Sequence, residues 1–120
     1  KAATLDIAMI CPLHGPVLKE DLGYYIGKYL TWSSYEPEED GIVIACASIH
    51  GNTKRAMLKF VEILKEKGAE NVKFFDLSRD DMAEAIAEAY QYSKLVVACP
   101  TYDGVLFPCM EDFLYHSPFL

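Results

Sequence analysis

Three short blocks that are largely apolar lie along the last two thirds of the chain, and each block predicts a β-strand. The blocks cover residues 41–47, 72–76 and 94–99. The first is a continuous apolar run, which is typical of a parallel strand buried on both faces. Helical patterns follow the first two blocks, and a third helix is expected to start near Phe107. Strands and helices alternating at this spacing indicate right-handed βαβ units and an α/β fold with a parallel sheet.

The first two helical stretches carry recognisable start and stop signals. One has its apolar stripe at Met57, Phe60, Val61 and Leu64. Gly68 is expected to end it. Ser78 with Asp81 three residues later resembles a capping box, so we expect the next helix to begin there. The apolar face predicted for that helix comprises Met82, Ile86, Ala89 and Tyr90.

The first 35 residues follow a different pattern. A short apolar run, Ile7–Leu13, precedes a helical stripe at Leu18, Leu22, Tyr25, Ile26 and Tyr29. So short a segment cannot build an independent core, and we expect residues 1–35 to be the end of a larger unit. The acidic residues 36–40 are predicted to be a linker, and residues 41–120 a separate α/β unit.

Composition and charge narrow the class of protein. The 120 residues, 52% of them hydrophobic, suffice for one domain with a core of its own. Eighteen acidic against eleven basic residues give a net charge of −7. This charge argues against a partner that is nucleic acid or an anionic membrane. No apolar run approaches the ~20 residues of a membrane span, and no signal pattern follows Lys1, so a cytoplasmic location is expected.

The cysteines agree with a reducing compartment. The chain has Cys11, Cys46, Cys99 and Cys109, and no C-x-x-C pair among them. A zinc ribbon and a thioredoxin-type pair are therefore both unsupported. Cys46 and Cys99 lie inside apolar runs, where a thiol behaves as a small core residue.

Two polar loops follow predicted strands at the edge where open α/β sheets bind ligands, residues 48–53 and 100–104. The first offers the hydroxyls of Ser48 and Thr53, the amide of Asn52 and backbone N–H groups freed by Gly51. These donors meet at a helix N-terminus, an arrangement that favours a phosphate. Basic residues also outnumber acidic ones along the helix that follows. The alternative is an ordinary polar turn.

Several phosphate-binding classes are excluded by the residues around this loop. A dinucleotide fold needs G-x-G-x-x-G and an ATP-type loop needs G-x-x-x-x-G-K-[ST], but Gly51 has no matching partner. A cysteine phosphatase built on Cys46 would need an arginine at position 52, which is Asn52. A phospho-acceptor receiver needs an aspartate at the end of the first strand, where residues 45–47 are Ala, Cys and Ala. A flavodoxin-type loop remains.

The resemblance becomes specific at this point. The first loop resembles the FMN-phosphate loop of flavodoxin-like domains, with His50 where that family usually has Thr or Tyr; it comprises Ser48, Ile49, His50, Gly51, Asn52 and Thr53. The second loop resembles the second flavin loop of flavodiiron proteins and comprises Pro100, Thr101, Tyr102, Asp103 and Gly104. Residues 11–16 and the helix ending near Trp32 are similar to the domain junction of the same family.

The resemblance implies a fold and a division of the chain. Residues 1–35 would be the C-terminal end of a metallo-β-lactamase-like diiron domain, and residues 36–40 an acidic linker. Residues 41–120 would be the N-terminal part of a flavodoxin-like, three-layer FMN-binding domain with strand order 2-1-3. Because residues 116–120 stand where that family still has strands and helices to come, we expect a fragment that is inactive alone.

The resemblance also implies an activity. In the parent oxidoreductase, FMN would relay electrons to a diiron site that reduces oxygen or nitric oxide. His14 would match the last histidine ligand of the iron, and no catalytic residue is assigned in this chain. Rubredoxin or a reductase would donate electrons, and a homo-oligomer is expected. Two alternatives stay open: a non-catalytic flavodoxin-like piece without flavin, and a flavodoxin-type electron carrier.

Overall fold

The computed structural model describes residues 4–117, which fall into two compact units that divide between Glu36 and Pro37. In the described part of the first unit lies the helix α1 (Leu22–Ser33). Ile10 and Leu18 exchange two backbone hydrogen bonds of 2.9 Å and close the loop between them. The prediction that the helical stripe begins at Leu18 is therefore wrong. The helix begins at Leu22 because Leu18 is bonded to Ile10 and Asp21 is left-handed, with φ 51°.

The second unit is built on a three-stranded parallel sheet. Its strands are β1 (Glu39–Cys46), β2 (Val72–Asp76) and β3 (Tyr92–Ala98), in the order β2-β1-β3. In the middle of the sheet Ile44 lies between Phe74 and Val96. The predicted α/β class and strand order are confirmed. β1 begins two residues earlier than the apolar run, because Glu39 already pairs with Tyr92 of β3.

Helices connect the strands and complete the second unit. They are α2 (Asn52–Glu66), α3 (Met82–Gln91) and α4 (Pro108–His116), and a short hairpin of β4 (Thr101–Tyr102) and β5 (Val105–Leu106) precedes the last. The predicted capping box at Ser78 is wrong. The N-cap of α3 is Asp81, whose side chain accepts a hydrogen bond of 2.8 Å from the N–H of Ala83. Ser78 instead donates its backbone N–H to Asp76, and its hydroxyl accepts a hydrogen bond from the Ser48 N–H. Residues 118–120, which belong to the predicted chain end, lie outside the described residues.

The core explains why the strands are apolar on both faces. Val43, Ala45 and Ala47 are completely buried in one cluster with residues of α3 and α4, among them Ala85, Ala89, Met110 and Phe113. Ile44 and Cys46 alternate with these residues and are completely buried on the opposite face, where α2 packs. Helices thus cover both faces of β1, which holds the end of the strand rigidly in place.

Within the described part of the chain, no helix combines the length and the apolar character needed to span a membrane.

Candidate functional site

The two predicted loops start next to each other. β1 and β3 are parallel neighbours, and Cys46 pairs with Ala98 at their carboxyl ends. One residue further, the N–H of Ala47 donates to the Ala98 carbonyl at 2.8 Å. Loop 48–53 and loop 100–104 therefore leave the sheet at the same edge, as the sequence predicted. Which residues there bind a ligand stays a prediction.

Loop 48–53 leads into an open helix N-terminus. Gly51 is the N-cap of α2 and lies in the left-handed region, with φ 81°. Its carbonyl accepts the first helical hydrogen bond, 3.0 Å from the N–H of Arg55. No side chain of the described residues caps the helix. The N–H groups of residues 52–54 and the positive end of the helix dipole are thus available to an anion.

Ser48 adds a hydroxyl group to this loop. Its Oγ is buried and makes no hydrogen bond to any described residue. The backbone N–H of Ser48, in contrast, donates to the Oγ of Ser78 at 3.2 Å. A buried hydroxyl without a partner costs roughly 1–3 kcal/mol. This cost is recovered if a ligand atom or a water accepts from or donates to the hydroxyl, since buried polar groups are normally hydrogen-bonded.

The remaining residues of loop 48–53 differ in exposure. Gly51 and Thr53 are half-buried, whereas Ile49, His50 and Asn52 are exposed. The Asn52 side-chain oxygen accepts a hydrogen bond of 2.5 Å from the Arg55 guanidinium. The amide of Asn52, which the sequence analysis offered to a ligand, is therefore partly engaged within the protein.

Loop 100–104 is a tight hairpin, which the sequence analysis missed. Thr101 pairs with Leu106, and the turn between them holds Asp103 and Gly104 at positive φ, 49° and 78°. An Asp-Gly pair between two short apolar or aromatic stretches is the sequence signal for such a hairpin. Pro100 is half-buried, and residues 101–104 are exposed. The Tyr102 ring meets the ring of Phe107 edge to face, with centroids 5.7 Å apart.

A third strand end contributes a charged network that the sequence analysis also missed. Asp76 ends β2 and is only 3% exposed. Its Oδ2 lies 2.9 Å from the Nζ of Lys54 in the first turn of α2. Burial alone would raise the pKa of Asp76, but hydrogen bonds from Lys54 and from the Ser78 backbone N–H outweigh it and hold the pKa below its ordinary value. Asp76 is thus an ionised carboxylate behind loop 48–53.

This network revises the predicted electrostatics of the loop. The three basic residues nearest to the start of α2 all have partners inside the protein. Lys54 binds Asp76, Arg55 binds Asn52 and Lys59 binds Glu62 at 3.0 Å. An anion at loop 48–53 would therefore be held by backbone N–H groups and hydroxyls more than by these cations.

Cys46 lies two residues before the loop and is not placed as a nucleophile. It is completely buried. Burial and the neighbouring charge of Asp76 raise the pKa of the Cys46 thiol to about 11. A thiol with such a pKa stays protonated at neutral pH, so it acts as a core residue, as the sequence predicted.

His14 belongs to the first unit, in the loop closed by Ile10 and Leu18, and is exposed. Among residues 4–117, no group of three or more His, Cys, Asp or Glu side chains is placed to hold a metal ion. One imidazole does not suffice for a diiron centre. The assignment of His14 as an iron ligand stays a prediction.

A cavity of about 760 Å³ lies in the second unit at the opposite end of β1 from the loops. Asp40, Gly41 and Lys94 line it together with Lys67 and Glu70 beyond the end of α2. Both carboxylates and ammonium groups border this cavity. It therefore lacks the single sign of charge that would indicate a class of ligand.

The fold and the loops define a flavodoxin-like α/β unit with polar loops at the carboxyl ends of its strands. No family model matches the chain. An uncharacterized protein of Methanocaldococcus jannaschii is 29% identical over 110 residues, which cover 92% of this chain and 28% of that protein. The anaerobic nitric oxide reductase flavorubredoxin of Aeromonas hydrophila is 27% identical over 111 residues, covering 92% of this chain and 22% of that protein.

Solved structures agree with these relatives. The flavodiiron protein from Giardia intestinalis superimposes with a TM-score of 0.73 at 23% identity, over 96% of this chain and 28% of that one. At this identity the superposition shows the fold. Together with the curated relatives it confirms the resemblance: the chain is related to the flavodiiron proteins along nearly its whole length. It spans about a quarter of the length of the curated relatives it matches.

Proposed function

We propose that this chain binds FMN at the edge formed by loop 48–53 and loop 100–104, as the flavin-binding part of a flavodiiron oxidoreductase. One observation carries the proposal. The buried Ser48 Oγ lacks a partner among residues 4–117, and it stands in the loop that leads into the N-terminus of α2, which no side chain of those residues caps. Hydroxyl and amide donors converging at a helix N-terminus suit the terminal phosphate of FMN.

The two loops would bind different parts of FMN. Ser48, Thr53 and the first N–H groups of α2 would hold the phosphate, while Gly51 permits the left-handed turn that brings the backbone to it. The exposed residues of loop 100–104 would border the flavin ring, and Tyr102 offers an aromatic surface that is 51% exposed. Bound FMN would supply the electron transfer, for which the protein provides position and electrostatics.

We further propose that the electrons pass to a diiron centre that reduces oxygen or nitric oxide. The name of the Aeromonas hydrophila relative, an anaerobic nitric oxide reductase flavorubredoxin, supports this activity. His14 would supply one ligand, and the others would have to come from outside the residues described here. A rubredoxin or a reductase would donate the electrons, and a second copy of the chain would complete the assembly.

The phosphate assignment is tested with two ligands that differ only in the phosphate. The 120-residue chain is titrated with FMN and with riboflavin, and the quenching of flavin fluorescence gives both dissociation constants. Ser48→Ala or Thr53→Ala should weaken FMN binding about five-fold or more, since each removes a hydrogen bond to a charged group. Riboflavin binding should hardly change. Ser33→Ala, at an exposed serine of α1, serves as the matched control.

Two results would contradict the proposal. Equal losses for FMN and riboflavin would place the phosphate away from loop 48–53. A chain that binds neither ligand, and is purified without any flavin absorbance, would favour the alternative of a flavodoxin-like piece that binds no flavin.

A further inference from the structure

We propose that Ser78, held in place by Asp76, is a positioning residue that aligns Ser48 for the phosphate. The proposal rests on the proposed function, because it concerns the same ligand. It adds the turn after β2, 30 residues away along the chain, to the machinery of loop 48–53.

The hydrogen bonds that join β1 to β3 end just before Ser48. The N–H of Ala47 still bonds to β3 through the Ala98 carbonyl. The next N–H, that of Ser48, donates to the Ser78 hydroxyl at 3.2 Å instead. Ser78 therefore fixes the backbone of the residue whose own hydroxyl is buried and has no partner in the described part of the chain. A shift of Ser48 would move that hydroxyl relative to the phosphate.

Ser78 is itself held in place by the buried carboxylate of Asp76. The N–H of Ser78 donates to Asp76 Oδ1 at 3.2 Å, and Lys54 donates to Asp76 Oδ2 at 2.9 Å. One buried carboxylate thus ties together the turn after β2 and the first turn of α2. These two segments flank loop 48–53. The Asp76 N–H is bonded in turn to Asp80 Oδ2 at 2.6 Å, which closes the turn.

These contacts hold loop 48–53 in place without a ligand, which matters for binding. A loop that is held at Ser48 and at Lys54 before the ligand arrives loses less conformational freedom when it binds. Because Lys54 is bonded to Asp76, the groups left to bind the phosphate are backbone N–H groups and hydroxyls. These groups carry no net charge, so the affinity depends on how well they are aligned. Ser78 should therefore affect FMN more strongly than riboflavin, because it acts through the position of Ser48.

The experiment compares three variants of the turn in the 120-residue chain. Ser78→Ala removes the hydroxyl, and Ser78→Thr keeps it at an exposed position. Asp81→Ala is the matched control, because it removes the N-cap of α3 and lowers stability without reaching loop 48–53. The readouts are the dissociation constants of FMN and riboflavin and the thermal unfolding midpoint without ligand.

Ser78→Ala should weaken FMN binding about five-fold and riboflavin binding less than two-fold, and Ser78→Thr should recover most of the loss. Asp81→Ala should lower the unfolding midpoint and leave the ratio of the two affinities unchanged. An equal loss for both ligands, or a loss that Ser78→Thr does not recover, would overturn the inference while Ser48→Ala still distinguishes FMN from riboflavin. If Ser48→Ala also fails to distinguish them, the proposed function falls and the inference falls with it.

Discussion

At the scale of single residues, a buried polar atom without a hydrogen bond says more about a binding site than the presence of a polar residue in the sequence. The sequence marks Ser48, Asn52 and Thr53 alike as donors. The structure separates them: Asn52 is bonded to Arg55, whereas the Ser48 hydroxyl is buried and no described residue bonds to it. Sequence patterns could not reveal this difference, since it depends on how the folded chain buries the Ser48 hydroxyl and on the bond between Arg55 and Asn52.

Asp103 allows a test of the flavin ring at the same scale. Its carboxylate is exposed at the tip of the hairpin, and a negative charge beside the flavin disfavours the addition of electrons. We expect Asp103→Asn to raise the reduction potential of bound FMN, on the order of tens of millivolts. Asn is well tolerated here, because Asp103 has a positive φ of 49°. An unchanged or lowered potential in a redox titration would place Asp103 away from the ring.

At the scale of elements, the sequence predicted what depends on apolar periodicity and missed what depends on individual hydrogen bonds. β2 (Val72–Asp76) agrees residue for residue with its apolar block, and the order β2-β1-β3 was predicted from the resemblance to the family. The predicted start of α3 was wrong, because Ser and Asp are both favoured N-cap residues and the sequence alone does not choose between Ser78 and Asp81. Asp81 is the N-cap because its side chain accepts from the Ala83 N–H, whereas Ser78 is bonded to Asp76 and Ser48.

The ion pair between α2 and β2 predicts a dependence on pH. The pKa of Asp76 is lowered in the folded protein, so its contribution to stability is complete above the unfolded value near pH 4 and is lost as the pH falls through the folded value. Lys54→Met removes the cation and leaves burial to raise the pKa of Asp76. The Ser78 N–H, Arg79 at 3.7 Å and Asp80 remain around it. We expect acid unfolding of this variant to begin at a higher pH.

The measurement is chemical denaturation at a series of pH values between 3 and 7, chosen to cross the ordinary range of aspartate. Lys54→Met should also cost about 1–2 kcal/mol of unfolding free energy near neutral pH, because the partly buried hydrogen bond is lost. Lys59→Met is the matched control, since Lys59 and Glu62 are exposed by 69% and 63% and an exposed pair contributes little. The same acid midpoint in both variants would mean that Lys54 does not control Asp76.

At the scale of the whole molecule, the sheet of the second unit has an edge that the described residues leave open. Among the strands in residues 4–117, β3 pairs with β1 on one side and with none on the other. Val97 of β3 is 44% exposed, and several large apolar residues outside the sheet are exposed as well; they include Val105, Leu106 and Tyr115. An apolar edge strand with free backbone groups tends to pair with another chain.

We therefore expect the 120-residue chain to self-associate as its concentration rises, through pairing along the outer edge of β3. A charge on an edge strand opposes such pairing, so Val97→Lys should shift the chain toward the monomer in light scattering or sedimentation. Val105→Lys makes the same change at a valine that is 61% exposed but lies in the hairpin. If both variants dissociate the assembly equally, general apolar contact drives it. A chain that stays monomeric before any substitution would show that the open edge of β3 is protected.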